Sequence, residues 1–124
     1  MANELKINLS ATLQNGNFNE QWRQGITSVD QNTVGAAGGV QTAEETAADL
    51  DYGNLTAADV GFLFLANCDD VNSVDVGIEV SASFYPLARL KPAEQAMLRV
   101  TPNVQIQLQA VTNTADVSYL LLRD

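Results

Sequence analysis

Leu5, Ile7, Leu9, Ala11 and Leu13 alternate with Lys6, Asn8, Ser10 and Thr12, a period of two that predicts a first strand with one apolar face. Asn15-Gly16-Asn17 interrupts the alternation. From Gln21 to Val34 the chain reads as a polar extended stretch whose large apolar groups are Trp22, Ile26 and Val29. Gly35-Ala36-Ala37-Gly38-Gly39 reads as a flexible joint. Thr42 to Leu50 is open between two readings, because Thr42 with Glu45 has capping-box spacing and Ala43, Ala47 and Leu50 share a helical face, which makes one short helix over 42–50 possible.

Beyond Asp51 the pattern is that of β-structure. Turn clusters at Asp51–Asn54, Asn67–Ser73, Lys91–Ala93 and Asn113–Thr114 separate short apolar runs. Residues 60–67, Val-Gly-Phe-Leu-Phe-Leu-Ala-Asn, form a strand apolar on both faces, so Phe62, Leu63, Phe64 and Leu65 call for cover on two sides, from this chain or from another subunit. Val74, Val76, Ile78 and Val80 alternate with Asp75, Gly77, Glu79 and Ser81, and Ile106, Leu108 and Ala110 alternate with Gln105, Gln107 and Gln109, as half-buried strands do. Phe84–Leu90, Met97–Val100 and Val117–Leu122 complete the set, with Pro92 to Ala96 open to a helical turn. The predicted fold is all-β, an antiparallel β-sandwich or jelly-roll of about eight or nine short strands. With 124 residues the chain suits one domain, residues 1–40 giving an N-terminal strand and possible docking arm and 41–124 the β core.

Charge narrows the partners. The formal charge is −9, and residues 1–83 hold twelve acids against Lys6 and Arg23, whereas residues 84–124 hold three acids against four bases. Such a surface repels phosphate backbones and lacks the clustered Lys and Arg of nucleic-acid binders, so no nucleic acid is expected as a ligand. The acids keep the chain soluble, and they also suit docking on a basic partner surface. No apolar run approaches the ~20 residues of a membrane span, and no signal-peptide pattern opens the chain, which predicts a soluble, unsecreted protein with no membrane partner. Cys68 is the single cysteine and makes no internal disulfide.

Chemistry is sparse. The chain has no histidine, which excludes histidine triads and histidine metal sites. Cys68 stands beside Asp69 and Asp70, whose charge disfavours a thiolate, and reads as a strand-end packing residue. Glu44-Glu45, Asp49 with Asp51, and Asp69-Asp70 with Asp75 raise a glycosidase pair or a calcium loop, but none follows the spaced ladder of an EF-hand, and acids in loops are usually solvated. Neither a metal nor a cofactor is predicted, and the turn from Asp69 to Asp75 is the best cation candidate. Trp22, beside Arg23, is the sole indole and suits a binding platform, an interface anchor or the core. Phe62, Phe64, Phe84 and Tyr85 fall inside strands and read as core. Gln105, Gln107 and Gln109 form an uncharged polar ladder that can pack between subunits without burying charge.

The order Glu44-Glu45, Gly53-Asn54-Leu55, the strand ending Ala66-Asn67, Asn72-Ser-Val-Asp-Val-Gly77, Leu87-Ala-Arg-Leu-Lys-Pro-Ala-Glu94 and Ala110-Val-Thr-Asn-Thr-Ala-Asp-Val-Ser-Tyr119 resembles small structural proteins of tailed bacteriophage virions. The resemblance covers roughly residues 40 to 124 and is one of turn grammar and strand order. It implies a β-sandwich or jelly-roll subunit of the particle, most of all a head decoration (cement) protein. It further implies a homo-oligomer, a trimer on this ground alone, whose partners are the major capsid protein or other virion proteins. The expectation is therefore a non-enzymatic protein made in the host cytoplasm and carried on the phage head, with Trp22, Arg23, Gln105, Gln107 and Gln109 as candidate interface residues. The alternatives are a tail, collar or fibre-associated subunit, or a carbohydrate- or host-surface-binding β-sandwich in which Trp22 and the acidic turns make the contact.

Overall fold

The computed structural model describes residues 4–124 as two compact units, one reaching to Thr33 and the other spanning Val34–Asp124. The first is a two-stranded antiparallel hairpin of β1 (Leu5–Asn15) and β2 (Phe18–Val29), closed by the two-residue loop Gly16-Asn17 with Gly16 at φ +59°. The predicted first strand is β1.

The second unit is an antiparallel β-sandwich. Its strands are β3 (Ala36–Ala43), β4 (Ala48–Asp49), β5 (Val60–Asn67), β6 (Val74–Val80), β7 (Ser83–Leu90), β8 (Gln95–Arg99), β9 (Gln105–Ala110) and β10 (Ala115–Arg123). One sheet has the order β3-β10-β5-β8 and the other β4-β9-β6-β7. The inner faces meet through Leu63 and Leu65 of β5 and Val117 and Leu121 of β10 on one side, and Val74, Val76, Ile106 and Leu108 on the other, all buried. Leu50, Tyr52, Leu55 and Val100 close the ends of this core from the connections. Alternation delivers these side chains inward because successive strand residues point to opposite faces.

No helix forms over 42–50. Ala43 pairs with Ala115 in the sheet, Ala48 and Asp49 pair with Leu108 and Gln107, and Thr42 Oγ1 donates to Asp116 Oδ1 at 2.6 Å instead of capping a helix. Gln41 spans the gap, its amide donating to the Asp49 carbonyl while its side-chain oxygen accepts from the Asp51 N–H, both at 2.9 Å. Long-range pairing thus overrides a local capping signal. The one helical segment among the described residues is the 3-10 turn Ala57–Asp59.

The glycine-rich stretch is not a joint. Ala36 to Ala43 pairs along β10 from Leu122 to Ala115. Gly38 is there for close approach, since a Cβ would lie 2.7 Å from the Tyr119 carbonyl oxygen. Gly77 meets the same constraint more tightly, with the Tyr85 carbonyl oxygen 2.1 Å from where a Cβ would sit, beside the bulge at Leu87. Pro92 and Ala93 form a turn, Ala93 at φ +66°, rather than a helical turn.

Candidate interaction surfaces

The hairpin's two faces follow from its register. Leu5 pairs with Val29, Ile7 with Thr27, Ala11 with Trp22, Leu13 with Glu20 and Asn15 with Phe18, and directly opposed residues share a face. Between Asn8–Ile26 and Ser10–Arg23 the second strand advances one residue more than the first, a bulge with Gly25 at φ +70°. Even-numbered residues of β2 lie on the apolar face before the bulge and odd-numbered ones after it. The result is one apolar face in which Leu9, Leu13, Phe18 and Trp22 are each 40–56% exposed.

Arg23 lies on the other face with Ser10, Thr12 and Asn8, around a shallow concavity that Gly25 helps to line. Trp22 and Arg23, adjacent in sequence, are thus presented on opposite faces. Ile26, 70% exposed, shares the polar face through its pairing with Asn8. Phe18 and Leu9 were not among the residues picked out from the sequence as contact candidates. The Asn-Gly turn and the Gly25 spacing are the signals that place them beside Trp22.

Gln105, Gln107 and Gln109 do share the outer face of the second sheet, half-buried. Their amides are engaged within the chain: Gln107 Nε2 donates to Asp49 Oδ1 at 2.8 Å, Gln109 Nε2 to the Glu45 carbonyl at 2.6 Å, and Gln105 Nε2 to the Ile106 carbonyl at 2.9 Å. All three glutamines bridge outward from β9 to the segment around the two-residue strand β4, Gln105 through a second contact from its Nε2 to the Leu50 carbonyl at 3.3 Å. The same face carries Asp75, in a bidentate pair with Arg89 at 2.7 and 3.1 Å, and Glu79.

The strand at 60–67 divides its faces unequally. Leu63 and Leu65 are buried in the sandwich, but Phe62 and Phe64 point outward and are only half-buried. Their ring centroids are 6.3 Å apart, and the Arg99 guanidinium lies 4.4 Å from the Phe62 ring centroid. Phe64 sits between Leu120 of β10 and Met97 of β8 in the ladder. The core assignment also fails at Phe84, half-buried, and Tyr85, 55% exposed, because β7 is an edge strand displaced by its bulge.

The turn after β5 is organised by Asn67, which is 2% exposed. Its Nδ2 donates to the carbonyls of Asn72 at 2.9 Å and Leu90 at 3.1 Å, and its Oδ1 accepts from the Asp69 N–H at 3.0 Å. The Asp69 carboxylate accepts from the backbone N–H groups of Asn72 and Val71, which holds its pKa below the usual carboxylate value. Asp69 is therefore committed to shaping the turn and Asp75 to Arg89, and among the described residues no group of three or more acids or thiols is arranged to hold a metal ion. Cys68 is exposed just past β5, so it is not a strand-end packing residue.

Compared with known protein families, with curated proteins and with solved structures, the chain finds no match.

Proposed function

We propose that this chain is a non-enzymatic structural protein of a tailed-phage virion, a decoration protein that docks on the head lattice and stabilises the shell. The observation that carries the docking part is the hairpin: a two-stranded ribbon with Leu9, Leu13, Phe18 and Trp22 exposed along one face. An isolated two-stranded ribbon is marginal in water, and an apolar face of this kind gains stability when a partner covers it. Trp22 is the anchor, since large aromatics dominate interface energetics. The sandwich supplies a rigid β module, and the turn order of residues 40–124 supplies the link to virion proteins. In this reading the partners are the major capsid protein and further copies of the chain, trimeric by the resemblance, and the place is the head surface.

The test is co-sedimentation of the purified protein with emptied heads and, separately, isolated tails prepared without their own copies. Saturable binding to heads alone at a lattice stoichiometry is expected. Binding to tails alone moves the protein to the tail, and binding to neither overturns the virion reading in favour of a ligand-binding module.

A further inference from the structure

We infer that the outer face of the sheet β3-β10-β5-β8 is a self-association surface, covered by the same face of a second copy of this chain. The inference takes up the self-association contained in the reading above but not its number, since the same face on both copies closes as a two-fold dimer where the resemblance gives a trimer; it is independent of docking on the head.

The centre of the face is apolar across all four strands, flanked by the outward Thr42, Ser118 and Gln95. Phe64 lies between Leu120 and Met97, with Phe62 one step along β5 beside Arg99. On the edge strand Val40 is 66% exposed, and Leu120 is 43% exposed. Alternation on β5 is apolar in both directions, so burial of Val60, Leu63 and Leu65 leaves Phe62, Phe64 and Ala66 incompletely covered. A sheet with one solvated face normally carries polar residues there, and an apolar patch spread over four strands instead marks an interface.

Charge identifies the occupant. The chain carries −9, so copies repel one another through most of their surfaces. The outer face of the opposite sheet carries Asp49, Asp75 and Glu79 against Arg89. The outward positions of β3, β5, β8 and β10 carry one acid, Asp116, and one base, Arg99. Both are already engaged, Asp116 by the Thr42 hydroxyl and Arg99 by Asp124 at 3.4 Å and the Phe62 ring. A basic partner would select the acidic face. The near-neutral apolar face instead fits a surface equally free of charge, which each copy provides, and sheet-on-sheet packing at ~10 Å is the geometry that buries it.

Sedimentation equilibrium of the full chain, without heads, tests this. The wild-type protein is expected to associate reversibly. Leu120→Asp and Val40→Asp, at exposed outward positions, are each expected to weaken association about tenfold or more. Leu87→Asp, at a position 72% exposed on the opposite sheet, adds the same charge and is expected to leave association unchanged. Matching far-ultraviolet circular dichroism and melting midpoints for the monomeric variants establish that they fold. Association that survives both face variants, or is lost equally in Leu87→Asp, overturns the assignment of this face and leaves head binding standing. A wild-type chain that stays monomeric throughout overturns self-association itself, again without bearing on the co-sedimentation result.

Discussion

Ala11 and Trp22 stand directly opposite each other in the hairpin, and the extra residue at the Gly25 bulge is what brings the indole to that face. Without the bulge, regular alternation from Thr27 would put Trp22 on the side of Asn8 and Ser10. The bulge therefore converts a strand with scattered apolar residues into half of a continuous apolar face.

Gly25 occupies the left-handed region at φ +70°, and nothing lies within 4 Å of where a Cβ would be. Gly25→Ala thus adds backbone strain alone, roughly 1–2 kcal/mol for a non-glycine residue there. Amide hydrogen exchange is expected to speed up from Ser10 to Arg23 in this variant while the sandwich strands keep their protection. Unchanged exchange in the hairpin would show that the bulge does not set its register.

Trp22 is half exposed and is the sole tryptophan, so its fluorescence reports on the hairpin. On docking to heads its emission should shift to the blue as the indole leaves water. Trp22→Ser should weaken head binding by about 2 kcal/mol or more with little change in the sandwich's melting midpoint. Full binding by this variant would remove the hairpin's apolar face from the contact.

Leu63 and Phe64 are neighbours with opposite fates. Leu63 is 0% exposed in the core, so Leu63→Ala should cost about 2–5 kcal/mol in urea unfolding. Phe64 is half-buried on the outer face, so Phe64→Ala should cost the isolated monomer clearly less, nearer ~1–2 kcal/mol, since only part of its surface leaves water. Equal losses at monomeric concentration would mean that the outer face is as well covered within one copy as the core is.

How far the sequence carries depends on whether a feature is local. The strands at 74–80 and 105–110 were legible because strict alternation over six or more residues has one interpretation, and 117–122 because a short apolar run follows a turn cluster. The segment 42–50 misled because Thr42 and Glu45 have capping-box spacing, while the partners that claim them, Asp116 and Asn113, lie far along the chain. Gly38 looked flexible because sequence does not reveal that a Tyr119 carbonyl stands against it. The glutamines of β9 were correctly grouped on one face, yet their ties to Asp49 and Glu45 depend on an edge strand of two residues. Trp22 could be flagged as a lone indole, but its companions depend on a bulge whose one local signal is the isolated Gly25.

Asn67 satisfies two carbonyls and one N–H from a buried position. Asn67→Ala leaves those groups without it, and unsatisfied buried groups cost about 1–3 kcal/mol each. A loss of at least ~2 kcal/mol in urea unfolding with an unchanged denaturant slope is expected. Asn67→Asp should be nearly as damaging, because a carboxylate offers no donor to the carbonyls of Leu90 and Asn72. A neutral substitution would mean that the turn holds itself together through Asp69 alone.

Tyr52 is expected to contribute to the loss of stability at alkaline pH. Its phenol donates to the Val104 carbonyl and accepts from the Ile106 N–H, both at 2.9 Å, and burial above all, with the Asp49 charge adding, pushes its pKa above the ordinary value of 10.0. The hydrogen bond from Ile106 opposes that shift without reversing it. A raised folded-state pKa means that the folded protein holds the phenolic proton more tightly than the unfolded chain does. The associated stability is therefore complete below pH 10.0 and declines as pH rises from there through the folded-state value. Tyr119, also raised by burial, contributes to the same decline in a weaker way because it is more exposed. Tyr52→Phe should lower stability at neutral pH by about 1–3 kcal/mol, since the Ile106 N–H and Val104 carbonyl lose their partner. The same variant should flatten the loss of melting temperature above pH 10.0, because the phenylalanine has no proton to release. Thermal melts of wild type and variant from neutral to alkaline pH read both effects at once. Parallel curves offset by a constant amount would assign Tyr52 a hydrogen-bonding role only and leave the alkaline limit to other groups.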